Sequence, residues 1–199
     1  MIRLASALLG AMMLMAAGAS AAEISVEEAL KDRVLGDPKA PVTILEYASL
    51  ACPHCAEFHE KTLPKLKQDY IDTGKVKLIF RDFPFDGRAF MAAMLARCAP
   101  PERYFPFIAI LFESQKRWAQ GEGFQQTLMN IGKLGGVDEP TFEACIASKP
   151  LFEGMRKTQT DAQQQLGVDA TPTFVINGRK IVGARSYETF VEAIEQASR

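Results

Sequence analysis

Two cysteines, Cys52 and Cys55, flank Pro53-His54 where one hydropathy period gives way to another. Before them, residues 42–49 read VTILEYAS, apolar and β-prone, the pattern of a buried strand. After them the stretch from Pro53 to Gly74 turns helical, with Phe58, Leu63, Leu66 and Tyr70 on one side. Pro64 lies inside that stretch and predicts a kink or break. Residues 75–85, KVKLIFRDFPF, read as a second strand ended by Pro84. Strand, helix and strand in this order form a right-handed parallel crossover. The fold must therefore be built around such a unit, with two thiols at its first junction.

From Arg88 to Ser148 the pattern is helical with no convincing strand. AFMAAMLARCA stops at Pro100-Pro101, and the helical stretch ERYFPFIAILFESQKRWAQ follows. FQQTLMNIGKL ends at Gly135-Gly136, and Asp138 caps the next helix with Pro140 in its first turn. Phe105, Ile108, Leu111, Phe112, Met91 and Met94 read as core of this block. A further helix over 151–167 leads out of it. TPTFVI and RKIVGA then flank Asn177-Gly178, the favoured dipeptide of a type I′ hairpin. Ser186 caps a last helix over 187–198. This order predicts an α/β chain: a small sheet with an all-helical insertion over 88–167. The sheet domain takes 35–87 and 168–199, after a short lead over 23–34.

Residues 1–22 carry one charge, Arg3, ahead of LASALLGAMMLMAAGA and then small residues. That pattern is expected to be a secretory signal peptide cleaved after Ala21 or Ala22, because the run is shorter than the roughly 20 apolar residues of a membrane span. Its removal takes the net charge from −1 to −2, which leaves no basic footprint for nucleic acid. The remaining four cysteines, exported to an oxidising compartment, favour disulfide chemistry over metal thiolates.

Four chemistries compete for Cys52-Pro53-His54-Cys55. A structural zinc site would want a second cysteine pair, but Cys98 and Cys145 stand 47 apart; His59 offers a third ligand and no fourth is visible. Haem attachment would need histidine at position 56, which is alanine. An inert staple is uncommon in so tight a ring. A redox pair fits best. Cys52 at the start of the helix faces unpaired N–H groups and the positive end of the helix dipole, which stabilise its thiolate. Pro53 suits the first turn, His54 adds a donor near the sulfur, and Cys55, one turn in, is the buried resolving thiol. Further on, Thr171-Pro172 opens a strand expected beside this helix. Read alone, that bond is expected to be trans, since only about 5–6% of X–Pro bonds are cis.

Together, GDPKAPVTILEYASLACPHC and TPTFVINGR resemble the DsbA-type periplasmic thiol:disulfide oxidoreductases, in the alphaproteobacterial-type branch that carries a second disulfide. The likeness runs from about Leu35 to Ala197. It implies a thioredoxin fold with the helical insertion, and a cis Thr171-Pro172 bond set against Cys52. It implies a redox-active Cys52–Cys55 disulfide and a structural Cys98–Cys145 disulfide, worth about 4 kcal/mol by the chain-entropy argument. The alternative for Cys98 and Cys145 is two buried free thiols. Glu46, on the first strand, corresponds to an acid that relays protons to the inner cysteine; the alternative is a strand-edge acid facing water. Arg81, Lys75 or Lys77 are candidate partners for it, and His59 is expected to be an exposed helix residue.

The implied activity is donation of the Cys52–Cys55 disulfide to reduced, exported proteins in the periplasm, without cofactor or metal. The expected molecule is a monomer, reoxidised by a quinone-linked membrane partner of the DsbB type. A disulfide isomerase or reductase is the alternative on the same fold. Thr171 favours it, while residues 23–33 are too short for a dimerisation segment. A redox-inert chaperone or metallochaperone is a third reading, against which two intact cysteines argue.

Overall fold

The computed structural model describes residues 25–199; the expected signal peptide lies outside them. Five strands form one sheet in the order β1-β3-β2-β4-β5. They are β1 (Arg33–Leu35), β2 (Val42–Ala48), β3 (Val76–Asp82), β4 (Thr173–Ile176) and β5 (Arg179–Val182). Only β2 and β3 run parallel, with Val42 opposite Val76 and Glu46 opposite Phe80. The other neighbours are antiparallel. Period-two patterning puts Val42, Ile44 and Glu46 of β2 on the same buried face, and Val76, Leu78 and Phe80 of β3 likewise. The expected crossover and hairpin are both present. Asn177 and Gly178 have φ of 43° and 94°, the two positive angles of a type I′ turn.

Strand β1 is an addition that the sequence pattern did not announce. Its three residues are too few to display a period. Gly36, at φ 98°, ends it where an added Cβ would lie 2.6 Å from Ile71 Cγ2, so the bend needs glycine. Before it, α1 (Val26–Leu30) is capped by the Ser25 side chain on Glu28 N–H.

The long helical stretch after β2 is not broken at Pro64. It runs as α2 (Pro53–Glu57), a wide π turn (Phe58–Thr62), α3 (Leu63–Leu66) and a second π turn (Lys67–Ile71). Leu63 N–H bonds back five residues, to Phe58 C=O. The wider turn just before Pro64 absorbs the ring and the missing donor that would otherwise interrupt the helix.

Between β3 and β4 lie only helices: α4 (Gly87–Cys98), a short 3₁₀ turn (Pro101–Arg103), α5 (Tyr104–Glu113), α6 (Gln115–Ala119), α7 (Phe124–Leu134), α8 (Glu139–Ile146) and α9 (Lys149–Leu166). The helical stretch over 102–120 is divided at Ser114, whose hydroxyl donates to Ile110 C=O at 2.6 Å. Asp138 caps α8 through Thr141 N–H. Ser186 precedes α10 (Tyr187–Ala197) but its side chain makes no capping bond.

Two devices hold this block in place. Cys98 and Cys145 form a disulfide between α4 and α8, with Cα atoms 6.3 Å apart. Buried Arg97 binds Asp82 of β3 at 2.7 Å and donates to the carbonyls of Lys31 and Phe80. One guanidinium thus joins insertion, sheet and N-terminal lead. Ile108, Leu111, Phe112, Met94 and Trp118 are buried, as core residues should be, while Phe105 and Met91 are partly buried. Among the described residues, no helix is long and apolar enough to cross a membrane.

Candidate active site

Cys52 is the capping residue of α2, in extended conformation (φ −82°, ψ 121°), with Pro53 as the first helical residue. That geometry aims the first backbone N–H groups of the helix at the Cys52 sulfur. Cys52 is partly exposed, and Cys55, one turn in, is 0% exposed. Both are thiols here. Thr171-Pro172 is a cis bond, and Cys52 Sγ lies 3.4 Å from the Thr171 carbonyl oxygen. The structure therefore brings together five of the expected residues: Cys52, Pro53, Cys55, Thr171 and Pro172.

The two thiols are pushed in opposite directions. Cys52 falls from the ordinary value of 9.0 to about 5. The hydrogen bond from Cys55 is the largest favourable cause, followed by the Thr171 side chain and the N–H groups of Cys55 and His54; partial burial opposes them. Cys55 moves well above 9.0, first because it is buried, then because its hydrogen serves Cys52, and also through the charges of Cys52 and Glu46. In the thiol form, Cys52 can donate to the Thr171 carbonyl; in the thiolate form, the donors around it determine its stability.

His54 departs from expectation. Its side chain is 73% exposed and approaches Glu57 at 3.7 Å. What it offers the sulfur is its backbone N–H. Among the described residues, no hydrogen bond joins its imidazole to Cys52.

Glu46 is 0% exposed, on the core face of β2 rather than at a watery edge. None of the basic residues expected to pair with it does so. Arg81 binds Asp32 at 2.8 Å and the Tyr47 hydroxyl at 3.2 Å. Lys77 donates to Pro38 C=O, and Lys75 lies over the Tyr70 ring. The partner is His59, with Nε2 2.9 Å from Glu46 Oε1. The expectation of an exposed His59 is overturned: its side chain is 6% exposed. A signal was available in the spacing, since His59, Leu63 and Leu66 recur at i, i+4 and i+7, the buried face of a helix.

Two further residues escaped the sequence reading. Gln115 Nε2 donates to Leu50 C=O at 2.7 Å and Cys52 C=O at 2.9 Å, pinning the active-site loop to α6. Nothing local marks a glutamine 63 residues away as that anchor. Phe85, 57% exposed, lines a shallow pocket of about 380 Å³ with Cys52, Ser49 and Thr171. The signal was Pro84, two residues past the end of β3, which cannot extend the strand and leaves Phe85 outside the sheet.

The thioredoxin family profile matches residues 28–196. Among curated relatives, a putative protein-disulfide oxidoreductase of Rickettsia felis is 34% identical over 167 residues, spanning 83% of this chain and 60% of that one. Disulfide bond formation protein D of Bacillus subtilis is 30% identical over 167 residues, spanning 82% of this chain and 75% of that one. Of solved structures, Wolbachia pipientis alpha-DsbA1 superposes with a TM-score of 0.78 at 37% identity, covering 84% of this chain and 91% of that one. Oxidised BdbD of Bacillus subtilis gives 0.76 at 27% identity, covering 87% and 95%. The chain spans 60% and 55% of the length of the first two rickettsial relatives that it matches.

Proposed function

Since the chain belongs to the thioredoxin family, in its DsbA-type branch of protein-disulfide oxidoreductases, we propose that it donates the Cys52–Cys55 disulfide to reduced, exported proteins as they fold. The observation that carries this reading is the asymmetry of the pair: Cys52 caps α2, partly exposed and 3.4 Å from the Thr171 carbonyl beside the cis bond, while Cys55 is fully buried one turn in, and these surroundings favour the Cys52 thiolate. A stabilised Cys52 thiolate favours the reduced pair over the disulfide, and so makes the disulfide a strong oxidant.

The steps follow from that asymmetry. A substrate thiolate attacks Cys52 Sγ of the disulfide, forming a mixed disulfide and releasing the Cys55 sulfur, which takes up a proton. A second substrate thiolate attacks the substrate sulfur of the mixed disulfide and expels Cys52 as thiolate. Two substrate thiols become one disulfide; one of their protons ends on Cys55 and the other in solvent. The cis Thr171-Pro172 segment borders the sulfur, so an extended substrate chain lies against it and against Phe85. Glu46 relays the Cys55 proton.

The oxidase works in the periplasm as a monomer and is reoxidised there by a quinone-linked membrane partner of the DsbB type. The helical block over 88–167 forms an insertion in the thioredoxin-fold domain, and the Cys98–Cys145 bridge is structural.

The test is a synthetic peptide with two thiols, mixed with the disulfide form. One peptide disulfide per protein disulfide consumed is expected. Negligible transfer, accompanied by efficient reshuffling of a mispaired protein, would assign the chain to the isomerases instead.

A further inference from the structure

Glu46 of β2 and His59 of the first π turn form a buried pair: the charge of Glu46 acts on Cys55, and His59 lines a cavity open to solvent. Glu46 Oε1 is bonded to His59, while Oε2 is buried with no hydrogen-bond partner among the described residues. A lone carboxylate in such a place is costly to hold charged. A carboxylate–imidazole pair can carry one shared proton on either member without net charge, as an ion pair or as two neutral groups.

His59 is held rigidly. Its ring stacks on Phe112 at 4.3 Å between centroids and meets Phe58 and Phe80 edge-on at 5.6 and 5.8 Å. It also lines a cavity of about 560 Å³ between α3 and α5, walled by Leu35, Leu63, Pro64 and Phe105. The titratable and charged groups facing the pair are few. Cys55 and Tyr104 lie on the inner side, where both feel the charge of Glu46. Glu60, Lys67 and Glu113 lie around the cavity. The strand neighbours of Glu46, Phe80 on β3 and Phe174 on β4, are apolar. Cys55, on the inner side, has no exposed surface of its own through which to exchange a proton.

We propose that His59 is the outer station of a proton path that links buried Cys55, through Glu46, to the cavity between α3 and α5. The proposal rests on the oxidoreductase reading above and adds a residue to it. His59 acts through Glu46, without touching the sulfurs. During reoxidation by a small disulfide, the Cys52 thiolate attacks one oxidant sulfur. A mixed disulfide forms and one oxidant thiolate leaves to be protonated by solvent. The Cys55 thiol then passes its proton to Glu46, and the proton shared with His59 moves outward to the imidazole and on to solvent. The Cys55 thiolate attacks Cys52 Sγ, closes the ring and expels the second oxidant thiolate. The oxidant disulfide is reduced to two thiols and the cysteine pair is oxidised. During substrate oxidation the same path runs inward.

The experiment is rapid-quench mass spectrometry of the reduced protein with glutathione disulfide, for the parent, His59→Gln, Glu46→Gln and the double variant. Glutamine keeps a hydrogen bond to Glu46 but cannot take up a proton. Formation of the glutathione adduct at Cys52 is expected to stay within about twofold in His59→Gln, while ring closure slows by roughly tenfold or more near pH 7. Closure in that variant should then rise about tenfold per pH unit, because hydroxide must take the proton directly. Glu46→Gln should be slowed at least as much, and the double variant no further. Parent-like closure and pH dependence in His59→Gln overturns the path, whatever Glu46→Gln does. A parent that forms no adduct overturns the functional reading instead. Should His59→Gln not fold, the ¹⁵N shifts of His59 in the unmutated chain with Cys52 alkylated decide. They are expected to follow the ionisation of Cys55, and shifts that ignore it overturn the proposal.

Discussion

Cys52 and Cys55 stand three residues apart on one turn of helix, whereas Cys98 and Cys145 stand 47 apart on two separate helices. The first pair is free thiol here and the second is bonded. The first has a partly exposed sulfur surrounded by donors that favour its thiolate. The second closes a loop between α4 and α8 beside the buried Arg97–Asp82 pair. On the function proposed above, the same bond chemistry is given two uses by its surroundings. A thiolate-stabilising helix start makes a disulfide reactive, and a long loop closed within a packed helical block makes one that restrains the unfolded chain.

Cys52→Ser is expected to abolish oxidation of a dithiol peptide, while Cys98→Ala with Cys145→Ala should leave it within a few-fold of the parent. Loss of activity in the double variant, with Cys52 intact and the chain folded, would remove the division of labour.

Stability should show the converse. Arg97→Met leaves Asp82 buried without its cation and is expected to cost about 3–5 kcal/mol in urea unfolding. Removing the Cys98–Cys145 bridge should cost somewhat less, about 2–4 kcal/mol, because a loop of this length loses roughly that much closure entropy in the unfolded chain. Oxidising and reducing Cys52–Cys55 acts in the opposite sense: the reduced form should be the more stable one at neutral pH. The sign follows from the depressed Cys52 thiol. Its stabilisation grows from about pH 5 towards pH 9 and is lost as the pH falls through 5, so the gap between the reduced and oxidised forms should close there. Paired denaturation curves at several pH values check this.

The smallest effect sharpens the origin of the asymmetry. Thiolate absorbance of the reduced protein should titrate near pH 5. Thr171→Val removes one donor and should raise that midpoint by up to about one unit, since one unit is about 1.4 kcal/mol and a hydrogen bond to a charged group is of that order. An unchanged midpoint would leave Cys55 and the helix N–H groups as the whole cause.

What was legible in the sequence follows the reach of each signal. Strands β2 and β3 and the Asn177-Gly178 hairpin were visible because period two and turn chemistry are local. Cys52, Cys55 and the Thr171-Pro172 segment were visible because their residue types are rare in that pattern. Strand β1 has too few residues to show a period. Glu46 alternates with Val42 and Ile44, so its burial was readable, but its polarity argued the other way. Its partner was not readable: His59 is 13 residues on, and only the packing of the helix on the sheet brings the two together. Gln115 is hidden for the same reason. The π turn before Pro64 shows the limit of a single-residue rule, because the neighbouring turn widened and kept the helix whole.

The most direct measurement is the equilibrium of Cys52–Cys55 with a series of glutathione buffers, read by mass spectrometry after acid quenching. The pair is expected to remain largely reduced until the buffer is strongly oxidising, with the Cys98–Cys145 bridge intact throughout. A midpoint as reducing as that of thioredoxin, about −270 mV, would contradict it. It would mean that the donors around Cys52 do not stabilise the thiolate enough to make its disulfide a donor.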